Sequence, residues 1–131
     1  MSGNCYLLDT NAIIALLQGD SKLIQLLQGA EWIGISVISH LEFLAFTNLT
    51  ETDKKLFQQF LPQVEVLNLS SQDESLVNQI ILIRQQHRLK LPDAIIAAMA
   101  KQKSAKLVTR DVQFNRVTDL TIINWSLTDA N

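Results

Sequence analysis

Only one cysteine, Cys5, stands in the 131 residues, so no disulfide can form within the chain. Its place in an apolar run predicts a buried thiol, and a chain without disulfides suits a reducing compartment. Long apolar runs are missing too: none approaches the roughly 20 residues that cross a bilayer. The opening Met1-Ser2-Gly3-Asn4 lacks the basic start and apolar core of a secretory leader. These absences point to a cytoplasmic protein with no membrane partner. Charge of one sign is also scarce. Eleven Lys and Arg against 13 Asp and Glu leave a net charge of −2, which excludes a protein that coats nucleic acid through bulk positive charge. No repeat, low-complexity tract or linker divides the sequence, and its length suffices for one core without staples. One domain over residues 1–131 is expected, with 126–131 a frayed tail.

What is present is apolar bulk and a regular alternation of elements. Hydrophobic residues make up 47% of the chain, enough to reserve some apolar surface for a partner. Cys5-Tyr6-Leu7-Leu8 runs without alternation, the pattern of a central parallel strand covered on both faces. Asp9-Thr10-Asn11 follows, then a helical run over 12–17. Gly19-Asp20-Ser21 punctuates before a second short helix that Gly29 is expected to cap. A strand over 34–38 leads into a helix from Ser39, and another helix over 52–61 stops at Pro62. The stretch 64–69 alternates as a strand with one exposed side. Ser71-Gln72-Asp73-Glu74 scans as a capping box opening the longest helix, with Leu76, Ile80, Ile83 and His87 on one stripe. Lys90-Leu91-Pro92 breaks the chain, 93–100 is helical, and strands are expected over 106–109 and 120–124. This alternation predicts an α/β fold of three layers, helices on both faces of a central, mostly parallel five-stranded sheet.

Four acids stand where such a sheet gathers its carboxyl ends. Each has an ordinary structural reading: Asp9 as a helix N-cap, Glu42 as the far end of a Ser39-His40-Leu41-Glu42 capping box, Asp93 in a first turn after Pro92, Asp111 in an Asx-turn. Taken together they mean more. Asp9 and Asp111 directly follow strands, and Glu42 and Asp93 open helices entered from that edge, so all four face one rim. Unpaired carboxylates in one cleft repel one another until protons or cations neutralise them. Hard divalent cations with oxygen ligands are their natural partner. A net charge of −2 with four negative charges removed is +2, so the body around such a site still tolerates a phosphate-bearing substrate.

Tyr6-Leu-Leu-Asp9-Thr-Asn11, Ile38-Ser-His-Leu-Glu42-Phe-Leu, Leu91-Pro-Asp93-Ala-Ile-Ile-Ala-Ala and Leu107-Val-Thr-Arg-Asp111-Val-Gln-Phe114 resemble, in order and spacing, the successive motifs of the PIN domain. Within it the chain is similar to the VapC-type ribonuclease toxins of VapBC toxin–antitoxin pairs. The resemblance implies a metal-dependent endoribonuclease with Asp9, Glu42, Asp93 and Asp111 as the catalytic, metal-binding acids, supported by Thr10, Asn11 and Thr109. It implies Mg²⁺ or Mn²⁺ as cofactor, an RNA substrate, a cognate antitoxin held in a hydrophobic groove, and a homodimer. Arg110, Lys90 and Arg88 are candidates for RNA phosphates, with Arg84, Lys54 and Lys55 behind them. Arg110, beside Asp111 in sequence, is also placed to pair with it and draw it away. His40 and His87 read as a helix-surface residue and a helix C-terminal charge. Phe43, Phe46, Phe57 and Phe60, on two successive helices, are a candidate docking surface as well as candidate core. Two other readings are a catalytically silent PIN fold used for binding and a phosphatase of the haloacid-dehalogenase type. The latter wants a second acid two residues after the first, where this chain has Asn11.

Overall fold

The structure, a computed structural model, describes residues 3–127. Five short strands make one sheet: β1 (Cys5–Leu8), β2 (Trp32–Ser36), β3 (Glu65–Leu67), β4 (Lys106–Val108) and β5 (Ile122–Ile123). Their order is β3-β2-β1-β4-β5, and every neighbouring pair is parallel. The sheet is therefore wholly parallel. β1 lies at its centre, which accounts for the unbroken apolar run. Leu7 points to a core built with α5 (Glu74–His87) and α6 (Leu91–Gln102). Tyr6 and Leu8 point to a second core, shared with α1 (Thr10–Leu17), α2 (Ser21–Leu27), α3 (Val37–Leu44) and α4 (Glu51–Phe60). The chain steps outward from β1 to β3, then crosses back to lay β4 on the far side of β1. That reversal opens a crevice at the carboxyl ends of β1 and β4, the place where open α/β sheets bind ligands.

Several boundaries differ from those the sequence pattern suggests. β2 ends at Ser36, whose hydroxyl accepts from the Ile38 N–H at 3.0 Å and caps α3. Ser36 thus takes the role expected of Ser39, and Glu42 moves from the first turn of its helix to the second. Ser39 is fully buried, and among the described residues its hydroxyl has no hydrogen-bond partner. An unsatisfied buried donor costs stability, so Ser39→Ala is expected to raise unfolding free energy by up to about 1 kcal/mol. Chemical denaturation of the two proteins checks this, and a clear loss of stability would show that the hydroxyl is bonded after all.

The capping box expected at Ser71–Glu74 is absent, because Asp73 itself caps α5 by accepting from the Leu76 N–H at 3.2 Å. A reciprocal box does form at α4, between Thr50 and Asp53. Gly29 does not take the left-handed conformation. Gly19 does, with φ 86°. Its N–H donates to the Leu16 carbonyl and that of Asp20 to the Ala15 carbonyl, both at 3.0 Å, a Schellman closure of α1. The turn delivers Asp20 as the N-cap of α2.

Cys5, at the amino edge of β1, is half-buried rather than buried. Phe43, Phe57 and Phe60 are core: Phe43 stacks on Phe57 at 4.2 Å, and half-buried His40 meets Phe57 edge-on at 5.3 Å. Of the four phenylalanines, candidates for core and for docking alike, only Phe46 stays open, at 47% exposure. Ser126 and Leu127 belong to a 3-10 turn, Trp125–Leu127, while the rest of the expected frayed tail and the first two residues lie outside the described residues. Among the described residues no helix is long and apolar enough to cross a membrane.

Candidate active site

Asp9 stands at the end of β1, buried, and its carboxylate is held from three sides. One oxygen accepts from the Thr10 N–H at 2.8 Å; the other accepts from the Thr109 hydroxyl at 2.8 Å and the Asn11 amide at 3.3 Å. Thr109, at the end of β4, in turn accepts from the Asn11 amide at 3.2 Å and the Asp111 N–H at 3.0 Å. The Asn11 carbonyl oxygen takes the Arg110 N–H at 3.1 Å. Asn11 and Thr109 thus clamp the ends of β1 and β4 together and aim Asp9 into the crevice between them. Asn11 is a strut, and the position where a haloacid-dehalogenase-type enzyme needs its second acid is committed to the scaffold.

Glu42 reaches in from the second turn of α3 and accepts from the Thr10 hydroxyl at 2.6 Å. Asp93 is the third residue of α6, in the first turn after Pro92. Asp111 follows β4, and one of its oxygens caps a 3-10 turn, Val112–Arg116, by accepting from the Gln113 N–H at 2.9 Å. All four acids line one cleft of about 500 Å³, together with Thr10, Asn11, Ile14, Ala45 and Phe46. Sequence reasoning brings the acids to this rim but does not place Ile14, Ala45 or Phe46 beside them: the first two carry no chemical signature, and Phe46 is marked only as one of four rings for core or docking.

Electrostatics shows the crowding. Burial raises the Asp93 carboxyl to about 6, and the charges of Asp111, Asp9 and Glu42 push the same way against a small opposing pull from Lys90. Asp9 is also raised, chiefly by burial, with the Thr109 and Thr10 hydrogen bonds opposing and Glu42 and Asp111 adding to the rise. Arg110 does not pair with Asp111. Its guanidinium lies 4.5 Å over the Trp125 ring and 3.8 Å from Asp20, leaving Asp111 with the other acids. Asp20 is held below the usual carboxylate range, first by the Leu23 N–H, with the Trp125 indole and Arg110 assisting.

Among the described residues no three His, Cys, Asp or Glu side chains form a ready-made metal cage. The donor set still fits a hard divalent cation: all candidate donors are oxygens, and their mutual repulsion is relieved by a cation between them. An open arrangement suits Mg²⁺, which keeps several of its waters. Beside the cleft, and sharing Ile14 and Phe46 with it, runs an apolar groove of about 270 Å³ that also includes Leu17, Phe43 and Leu49.

Comparison with known proteins agrees with this architecture. A chain of a toxin–antitoxin complex from Klebsiella pneumoniae superposes with a TM-score of 0.75 at 26% identity, over 92% of this chain and 97% of that one. FitAB bound to an IR36 DNA fragment gives 0.75 at 25% identity, over 96% and 99%. VapBC2 from Rickettsia felis, bound to a DNA fragment from its promoter, gives 0.74 at 24% identity over 92% and 98%, a likeness of fold. No curated protein sequence matches the chain. The family profile of the PIN domain matches residues 6–120, from the middle of β1 to the approach to β5, and the chain belongs to that family.

Proposed function

We propose that the protein is an endoribonuclease dependent on Mg²⁺ or Mn²⁺ and that it serves as the toxin of a type II toxin–antitoxin pair in the cytoplasm. The observation that carries this reading is the gathering of Asp9, Glu42, Asp93 and Asp111 in one cleft, with Asp93 raised to about 6. These four side chains would hold the cation, which when bound would activate a water and stabilise charge on the reacting phosphate. The chain's own residues do the rest. Thr109, Asn11 and the Thr10 N–H fix Asp9, the Thr10 hydroxyl fixes Glu42, and the Gln113 N–H fixes one oxygen of Asp111. Positive charge in the cleft would oppose the burial and like charges that raise the Asp93 carboxyl, and so favour its ionised form. Water adds to phosphorus and the bond to the 3′ oxygen breaks, leaving a 5′ phosphate and a 3′ hydroxyl. Lys90, exposed at the start of α6 and close enough to act on Asp93, is the candidate for an RNA phosphate that this reading favours, with exposed Arg88 two residues before it.

Labelled RNA and DNA of one sequence, incubated with Mg²⁺, Mn²⁺ or EDTA, test the reading. Cleavage of RNA alone, and only with metal, is expected; no cleavage of either polymer would favour a silent binding fold.

The antitoxin partner is supported by the similarity to solved toxin–antitoxin complexes and by the apolar groove beside the acids. A homodimer is supported by the exposed Leu41, Leu44, Ile81, Leu82 and Leu91. Sedimentation at micromolar concentration is expected to give twice the chain mass; a monomer would reject the dimer. Phe46→Ala, which opens the groove wall at a ring that is itself half-exposed and meets the core only edge-on at Phe43, is expected to weaken antitoxin capture at least tenfold, and unchanged capture would place the antitoxin elsewhere.

A further inference from the structure

We propose that Arg110 grips the phosphodiester backbone of the substrate beside the four-carboxylate cleft, with Trp125 and Asp20 as the residues that position it. The inference rests on the ribonuclease reading and assigns how this chain holds a polyanion against its own acids. A nucleic-acid strand approaching four carboxylates is repelled unless fixed cations flank them. Arg110 stands beside the cleft, between Thr109 and Asp111 in the chain, with its N–H on Asn11 and its side chain lining the two adjoining hollows.

Its side chain is poised for a ligand and is not spent on the fold. Asp20 already accepts from the Leu23 N–H and from the Trp125 indole, each at 3.1 Å, so it is satisfied without Arg110. The guanidinium touches Asp20 only at 3.8 Å, through one of its nitrogens, and the side chain is 50% exposed. Among the described residues it has no other hydrogen-bond or ion-pair partner. Beneath it the buried Trp125 ring lies 4.5 Å from the guanidinium carbon, a contact that limits the conformational freedom to be lost when a phosphate binds. The fork stands between two hollows of about 330 and 280 Å³, one reaching Asn11 and Gln18, the other Asp111, Asn115 and Asn124. Arg110 leans toward the α1 and α2 layer, while Lys90, at the start of α6, belongs to the opposite layer. A strand lying across the rim meets one cation from each.

The test uses Asp93→Asn protein, which is expected to hold substrate without cutting it, and a fluorescein-labelled single-stranded RNA followed by anisotropy across a KCl series. Adding Arg110→Gln is expected to weaken binding roughly tenfold and to reduce the slope of log affinity against log salt by about 0.7, one phosphate contact on a single strand. Arg110→Lys, which keeps the charge without the fork, is expected to keep the slope and lose part of the affinity. RNA should change indole emission in the Arg110 protein and not in Arg110→Gln, because the contact lies on Trp125. If Arg110→Gln fails to fold, Arg110→Lys decides: weakened binding at unchanged slope supports the inference, and parental affinity overturns it. Parental affinity, slope and emission change in Arg110→Gln overturn it as well, while RNA cleavage by the wild-type protein leaves the ribonuclease reading standing. No binding by Asp93→Asn and no cleavage by the wild type would remove both.

Discussion

Asp93→Asn is expected to abolish metal-dependent RNA cleavage, with a loss of at least about 10³-fold in rate. The size follows from what the carboxylate does. It is partly buried among three other acids, and losing it removes charge that holds the cation along with an oxygen that helps to place it. Asp9→Asn should match it, because Asp9 is the acid most firmly aimed, with both oxygens committed to donors from β4 and α1. Asp111→Asn is expected to cost less. One Asp111 oxygen serves the Val112–Arg116 turn, and an asparagine carbonyl keeps that bond. Single-turnover cleavage by the three variants at saturating Mg²⁺ and Mn²⁺ gives the ranking. Undiminished activity in Asp93→Asn, or in wild-type protein with excess EDTA, would mean that these acids are not the reacting centre.

The distance between what the residues announce and what the fold does has a physical pattern. β1 and the rim acids Asp9 and Asp111 are legible because a strand buried on both faces has no polar residue until it ends, so its end is marked. Glu42 is legible for the wrong reason. Ile35-Ser36-Val37-Ile38 reads as continuing strand by its β-branched residues, which pushes the helix start to Ser39. The pairing of Ser36 with Leu67 ends the ladder there, and the Ser36 hydroxyl caps α3. Glu42 still arrives at the cleft because its place on the second turn of α3 brings it to the Thr10 hydroxyl, a contact between residues 32 apart. The partner of Arg110 could not be read at all. Local order puts Asp111 next to it, and only the turn at Gly19 with the return of the chain through Trp125 brings Asp20 within reach. Phe57 and Phe60 show the same limit: an apolar stripe on two helices says nothing about which rings face inward until the helices pack. Local chemistry marks the ends of elements, and tertiary packing decides which neighbours those ends meet.

Metal-free protein is expected to lose stability as pH rises from about 4 to about 6, which separates a cation site from four ordinary helix caps. The unfolded pKa of an aspartate is about 3.9, and in the folded protein Asp93 sits at about 6, with Asp9 raised as well. The folded state therefore binds more protons than the unfolded chain across that window. By linkage its advantage is fully present below pH 4 and is lost as pH climbs through the folded value. Asp93 is partly open to solvent, so the loss is on the order of 1 kcal/mol once screening is allowed for. Asp20, held low, works in the opposite sense and loses its contribution only as pH falls through its own folded value, so it does not mask the trend. Asp93→Asn removes the penalty and should melt at or above the wild-type temperature in EDTA at pH 7. Mg²⁺ at a hundred times its dissociation constant should then stabilise the wild type by about 2.7 kcal/mol and the variant by much less. Helix caps give the reverse signs, since removing one costs about 1 kcal/mol with or without metal. Thermal melts of wild type and Asp93→Asn, in EDTA and in Mg²⁺ between pH 4 and 8, separate the two cases. A destabilised Asp93→Asn in EDTA, with a wild type that ignores both pH and Mg²⁺, would show carboxylates that only cap helices and turns.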